Sequence, residues 1–170
     1  MNNLIYTTIE SPIGELLLLG DGQSLQKVSM QGGRRPTRID PAWERRDDAF
    51  AEVRRQLDEY FDGSRRRFDL SLALIGNDFE LMVWEALREI EYGETASYGE
   101  IAARIGHPSA ARAVGLANGR NPIALIVPCH RVIGADGSLT GYGGGLERKQ
   151  FLLDLERGIR PLLGSPAAMA

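Results

Sequence analysis

Apolar and polar positions follow two regimes along the chain. Up to Leu74 they read as strands plus one helix. Residues 4–9 and 14–19 flank a Ser11-Pro12-Ile13-Gly14 turn and predict a hairpin. Residues 25–30 form a third candidate strand. Phe68, Leu70, Leu72 and Leu74 alternate with Asp69, Ser71 and Ala73, the period of a half-buried fourth strand. Phe50, Val53, Leu57, Tyr60 and Phe61 recur at helical spacing, and Gly63-Ser64 ends that helix. Residues 32–36 read as an exposed loop. The fold class expected for residues 1–76 is therefore a small α/β domain, one sheet and a helix. It carries no catalytic constellation, and its Arg65-Arg66-Arg67 run reads as solvated surface.

After Gly76 the pattern changes to short helices, predicting a mostly α domain over residues 77–170 with a loose tail beyond about 158. Asn77 can cap a helix with the stripe Phe79, Val83, Ala86, Leu87 and Ile90. Ser97 and Glu100 have the spacing of a capping box for the next helix, which Gly106 suits as a left-handed stop. A further helix over residues 110–118 completes a helix-turn-helix pattern. Ala110, Ala111, Ala113, Gly115 and Ala117 leave this second helix almost without bulk. Such a surface suits close packing in a core or close approach to a nucleic-acid groove with Arg112 projecting, and the pattern alone does not separate the two.

Composition narrows the class. Of the 170 residues 43% are hydrophobic and 25% charged, as in an ordinary globular protein. No apolar run is long enough to span a bilayer or serve as a signal segment, so no membrane partner and a cytoplasmic location are expected. A net charge of −3 speaks against a nonspecific DNA coat. Its placement is uneven, however. Residues 78–100 hold seven acids against Arg88 alone, whereas residues 101–135 hold Arg104, Arg112, Arg120 and Arg131 and no acid. That stretch hints at an anionic partner.

One cysteine excludes an internal disulfide, and with only His107 and His130 beside it a closed Cys/His zinc site is not expected. Cys129 follows an apolar run, residues 123–127, and Pro128, which biases Val127 to extended geometry. The reactive segment is thus expected at a turn leaving a strand. His130 and Arg131 beside it favour the thiolate, the nucleophilic form. Neighbouring side chains on extended backbone diverge, so a water would have to carry a proton from Cys129 to His130. The imidazole then needs a carboxylate, and Glu156 near the end of the last predicted helix, residues 147–157, is the candidate. Between them residues 134–145 include six glycines around Tyr142, suiting either a flexible connection or a lid.

Five motifs in order carry a resemblance: Tyr92-Gly93-Glu94-Thr95-Ala96-Ser97-Tyr98-Gly99-Glu100, Ala111-Arg112-Ala113-Val114-Gly115, Asn121-Pro122, Pro128-Cys129-His130-Arg131-Val132, and Gly141-Tyr142-Gly143-Gly144-Gly145-Leu146. Across residues 77–158 the chain resembles the O6-alkylguanine-DNA alkyltransferases, the methylated-DNA–protein-cysteine methyltransferases. The first half is similar to that family's ribonuclease-H-like domain in element order only. The resemblance implies a winged helix-turn-helix second domain and repair of duplex DNA by direct reversal in a single turnover. The alkyl group of O6-alkylguanine, and of O4-alkylthymine, would pass irreversibly to Cys129, with His130 as base through a water and Glu156 orienting it. Asn121 would hold the turn. Tyr98 and Arg112 would extrude the base while the helix bearing Ala110, Ala111, Gly115 and Asn118 enters the minor groove. The backbone at Cys129 and Val132 with Tyr142 and Gly143 would line the base pocket, and Tyr142 or a nearby hydroxyl would assist the leaving base. No cofactor or metal is implied, and the expected partner is lesion-bearing double-stranded DNA, bound by a monomer with cooperative assembly on DNA left open.

Two positions depart from that family's usual pattern: Glu80 where glutamine is common, and Glu91 where proline is. The alternative is a non-catalytic lesion sensor of the same fold, which Cys129 argues against, since such relatives lack the cysteine. A thiol hydrolase lacks its signature around Cys129, and a plain transcription regulator leaves residues 128–132 unexplained.

Overall fold

The computed structural model describes residues 3–159; the tail expected to be loose lies, from residue 160 on, outside them. Strands β1 (Ile5–Ile9), β2 (Leu16–Gly20), β3 (Leu25–Met30) and β4 (Glu44–Arg45) form one sheet in the order β3-β2-β1-β4, with β4 parallel to β1 and the other pairs antiparallel. The hairpin turns at Gly14, whose φ of +98° suits glycine and whose N–H donates to the Ser11 carbonyl at 3.0 Å. Every residue of β2 is buried, which explains its continuous leucine run: a central strand covered on both faces does not alternate. Helix α1 (Ala51–Asp62) buries Val53, Leu57 and Tyr60 and ends at Gly63 in the left-handed conformation.

The fourth strand is not where alternation placed it. Among the described residues, 68–74 pair with the β3 backbone only at Leu25, whose N–H and carbonyl bond Ser71 and Ala73 at 2.8 and 2.9 Å. The reason lies in β3. Gln26 is left out of the register opposite Leu19 and Gly20, a bulge that changes which residues face the open edge. Past the bulge that edge is taken at Val28 by Pro122 and Ala124. Two segments share one short edge, and neither becomes a strand.

The second half contains α2 (Asp78–Arg88), β5 (Ala96–Ser97), α3 (Tyr98–Arg104), α4 (Ala111–Gly119), β6 (Val132–Ile133) and α5 (Leu146–Glu156), with β5 and β6 parallel. Asn77 and Glu80 exchange both bonds of a capping box, which gives the unusual Glu80 a local role; it also lies 3.8 Å from Arg120. At α3 only half the expected box forms: Ser97 accepts from the Glu100 N–H, and no return bond is made. The Trp84 indole donates to the Ala117 carbonyl at 2.9 Å, tying α2 to α4.

Both halves share one continuous core that includes Leu16, Tyr60, Trp84 and Leu152. Polar ties cross it as well. The buried Arg148 donates from Nε to the Ile13 carbonyl at 2.8 Å and from a terminal nitrogen to Gly144 at 3.2 Å. The Arg34 N–H donates to the Gly143 carbonyl at 2.8 Å. Among the described residues no helix is long and apolar enough to cross a membrane.

Candidate active site

The segment before Cys129 does not run extended as Pro128 suggested. After the bridge from Ile123 to Val28 the chain turns on itself: Ile126 N–H bonds Ala124 at 2.8 Å and Val127 N–H bonds Ile123 at 3.0 Å. Leu125 adopts φ +72°, the one left-handed non-glycine residue described. That conformation is costly for a branched side chain and persists only where packing enforces it; Leu125 is 1% exposed. Asn121 holds the turn from both ends, donating from Nδ2 to Val127 at 2.7 Å and accepting from the Ile123 N–H at 3.0 Å. Cys129, His130 and Arg131 then form one 3-10 turn, all three buried.

Glu156 is the hub beneath that turn. Its Oε2 lies 2.7 Å from His130 Nε2 and accepts from the Tyr60 hydroxyl at 2.6 Å, while Arg131 grips both oxygens at 2.7 and 3.0 Å. Burial alone would raise the Glu156 carboxyl, but the contacts of His130 and the fork of Arg131 hold it well below the usual carboxylate range. Burial pushes His130 below its ordinary value, with Glu156 opposing in part. The carboxylate accepts at Nε2, so that nitrogen carries the proton, and Nδ1 is left as an acceptor with no protein partner.

Around Cys129 the cation is not the expected one. Arg131 faces away, toward Glu156 and the Ile90 carbonyl at 2.7 Å. The favourable groups are Asn121, whose side-chain amide favours the thiolate, and Lys149, which acts through its charge. They do not cancel burial, and the thiol stays above its ordinary value. The sequence reading that the basic neighbours free the thiolate is thus corrected. Lys149 is itself buried, donating to Val132 at 2.6 Å and Thr140 at 2.9 Å, and burial lowers it to about 8.

A cavity of about 310 Å³ opens on Cys129, walled by β3, the end of α4, Asn121 and residues 141–144, near the lower end of small-molecule sites. Tyr142 and Gly143 line it, whereas Val132 is buried in β6 with its carbonyl taken by Lys149. Tyr98 stands outside, its hydroxyl 3.0 Å from the Thr140 hydroxyl. Arg112 is exposed on α4, and Ala110, Ala111 and Gly115 are half-buried; a Cβ on Gly115 would meet the Tyr98 ring at 3.7 Å. Asn118 departs from its expected place on the groove face: it is 4% exposed and lies in the cavity wall. Leu116, 62% exposed, interrupts the helix face otherwise free of bulk.

Sequence reasoning missed Tyr60 and Lys149. Tyr60 hid in an apolar helical stripe. Lys149 left a signal, a lysine seven residues from Glu156 on the stripe that buries Leu152 and Leu153.

A family model described as 6-O-methylguanine DNA methyltransferase, ribonuclease-like domain, matches residues 4–74, and its DNA-binding-domain counterpart matches residues 78–158. The methylated-DNA–protein-cysteine methyltransferase of Methanosarcina acetivorans is 54% identical over 153 residues, covering 90% of this chain and 98% of its own. That of Mycobacterium tuberculosis is 55% identical over 157 residues, covering 92% and 94%. The crystal structure of Mycobacterium tuberculosis OGT in complex with DNA superposes with a TM-score of 0.86 at 54% identity, over 94% of this chain and 96% of that one. Two halves in the expected order, joined over a buried cysteine–histidine–glutamate arrangement, match relatives along nearly their whole length, and the chain belongs to the methylated-DNA–protein-cysteine methyltransferase family.

Proposed function

We propose that this protein repairs alkylated DNA by moving the alkyl group from O6 of guanine onto Cys129, once per molecule. The observation that carries the reading is the buried thiol at a base-sized cavity, backed by an imidazole whose free nitrogen can only accept. The Cys129 proton passes by way of water to His130 Nδ1, and Glu156 stabilises the imidazolium that forms. The thiolate attacks the alkyl carbon, the S–C bond forms as the C–O6 bond breaks, and the electron pair returns to the purine. A proton relayed with the help of the Tyr142 hydroxyl ends on N1, so the thiol proton is in sum carried to guanine. No step returns the thioether to a thiol. O4-alkylthymine is a second substrate on the same chemistry.

The lesion must leave the stack to reach a buried sulfur. Helices α3 and α4, with residues 132–140 as the wing, make the winged helix-turn-helix that presents Tyr98 and Arg112 to the minor groove. Residues 1–76 and 77–170 are the two domains of this reading. Intact-mass measurement after incubation with duplex O6-methylguanine tests it. A gain of one methyl group on Cys129, saturating at one equivalent, is expected; continued product formation overturns the single-turnover mechanism.

A further inference from the structure

Thr140 is an exposed residue of the glycine-rich segment and stands outside the wall of the cavity on Cys129. Its polar groups nevertheless join two helices. Its carbonyl accepts from the Lys149 ammonium of α5 at 2.9 Å, and the same ammonium donates to Val132 at 2.6 Å. Its hydroxyl donates to the hydroxyl of Tyr98, the first residue of α3, at 3.0 Å. An exposed side chain on a glycine-rich loop ordinarily orders nothing around it. Here the backbone beneath it is clamped by a fully buried lysine, so the Thr140 hydroxyl hangs on a fixed frame.

Tyr98 is thereby held at two places. Its ring lies beside α4, where a Cβ on Gly115 would come within 3.7 Å of it, and its hydroxyl is held by Thr140. The bonding also leaves a proton over. The phenol oxygen accepts from Thr140, while its own proton has only the Thr140 carbonyl at a long 3.4 Å. A hydroxyl that accepts one hydrogen bond becomes a stronger donor in the next. Phosphate oxygens only accept, so this is the polarity that a DNA backbone requires.

We infer that Thr140 is a positioning residue that holds the Tyr98 hydroxyl ready to donate to the DNA backbone, and so speeds transfer from duplex DNA without itself touching the lesion; this rests on the alkyl-transfer reading above. A side chain that must be ordered on binding costs affinity, and a bond already made in the free protein removes part of that cost. The Thr140–Tyr98 bond is exposed and contributes little to stability, so its consequence is geometric. Free base has no backbone for Tyr98 to meet. Loss of the Thr140 hydroxyl therefore acts on the ratio of duplex to free-base reaction.

Single-turnover rates on duplex O6-methylguanine and on free O6-benzylguanine, taken as a ratio, test this in the full-length protein. Thr140→Val removes the hydroxyl and keeps the branched shape and the carbonyl that Lys149 holds. It should lower the ratio about fivefold, the effect of one ordinary hydrogen bond, and Thr140→Ser should restore it. Tyr98→Phe deletes the same bond from the other side and should lower the ratio at least as far, with no further loss on adding Thr140→Val. A ratio unchanged in Thr140→Val overturns the assignment, as does one that Thr140→Ser fails to restore. Losses that add in the double variant also overturn it, since Thr140 then acts through some group other than Tyr98. An unchanged ratio in Tyr98→Phe removes the phenol, and Thr140 with it, from the reaction. Failure of duplex O6-methylguanine to methylate Cys129 of the wild type, read by intact mass, overturns the alkyl-transfer reading instead.

Discussion

Tyr60 and His130, seventy residues apart, meet on one oxygen atom: Oε2 of Glu156 accepts from the Tyr60 hydroxyl at 2.6 Å and lies 2.7 Å from His130 Nε2. The tyrosine belongs to the helix of the first half, so that half reaches the proton relay directly. A phenol donating to this oxygen withdraws electron density that the imidazole proton would otherwise use. Tyr60→Phe keeps the ring packed against Phe61 and Phe68 and removes only the donor. The freed carboxylate should then stabilise imidazolium more, raise the His130 pKa, and move the acid limb of alkyl transfer from free O6-benzylguanine to higher pH. A limb that stays in place with only a lower melting temperature would mean that Tyr60 merely packs.

Glu156→Gln should be costlier. The buried Arg131 would lose its counter-charge and keep only neutral acceptors, the amide oxygen of the new side chain and the Ile90 carbonyl, a loss of ~3–5 kcal/mol by comparison with other broken buried pairs. The pH dependence follows in sign. The folded-state pKa of Glu156 lies below its ordinary 4.5, so its stabilisation is fully present above 4.5 and is lost as pH falls through the folded value. Denaturant melts of the wild type should show that acid loss, and Glu156→Gln should lack this component. Its alkylation rate should be low near neutrality and recover in part at high pH, where the thiolate forms without help.

The sequence made most elements legible because each had a local cause: the Ser11–Gly14 turn that makes β1 and β2 a hairpin, the Asn77 cap on α2, Gly63 and Gly106 at helix ends. The site was legible at Cys129 and His130 through motif order, and at Glu156 because an imidazole base needs a carboxylate and the last helix offers one. What failed was non-local. No local pattern announces that a bulge at Gln26 divides an edge between residues 68–74 and 122–124, or that Arg131 turns from its neighbour Cys129 toward α5. Asn118 was assigned to the groove face because the resemblance sends its whole helix there; its side chain is turned inward by a bond to a backbone carbonyl eleven residues away.

Lys149→Met should expose the electrostatic support of the thiolate. With the ammonium gone, the Cys129 pKa rises further and transfer from free O6-benzylguanine should require higher pH. Stability should respond in the opposite sense. Because the folded-state pKa is about 8 against an ordinary 10.5, the unfolded chain binds more protons between those values, and the wild type gains stability from this group as pH rises across that window. Lys149→Met should lack this gain in melts recorded from pH 8 to 10, and an identical dependence in both proteins would locate the buried charge elsewhere.

Arg112 tests what the surface of α4 is for. Its side chain is exposed and makes no hydrogen bond or ion pair among the described residues, so it does not hold the fold. Half-buried Ala111 and Gly115 flank it on a helix whose backbone can come near a groove floor, and only the guanidinium and, one turn on, Leu116 extend. A planar cation at that place can fill the hole left by an extruded base and bond its orphaned partner, offsetting an unstacking cost of a few kcal/mol. It could equally lie along a phosphate, as most basic side chains at DNA interfaces do. The two roles separate cleanly in Arg112→Ala. A wedge is idle when no stack has to open, so reaction with free O6-benzylguanine should stay near the wild-type rate while duplex repair falls far more than duplex affinity. A phosphate contact would instead lower affinity and repair in parallel and flatten the salt dependence of binding by about one ion. The outcome expected here is the first, because the neighbours of the arginine along α4 are the small residues that a close approach demands, and the helix carries no second cation to share a phosphate track.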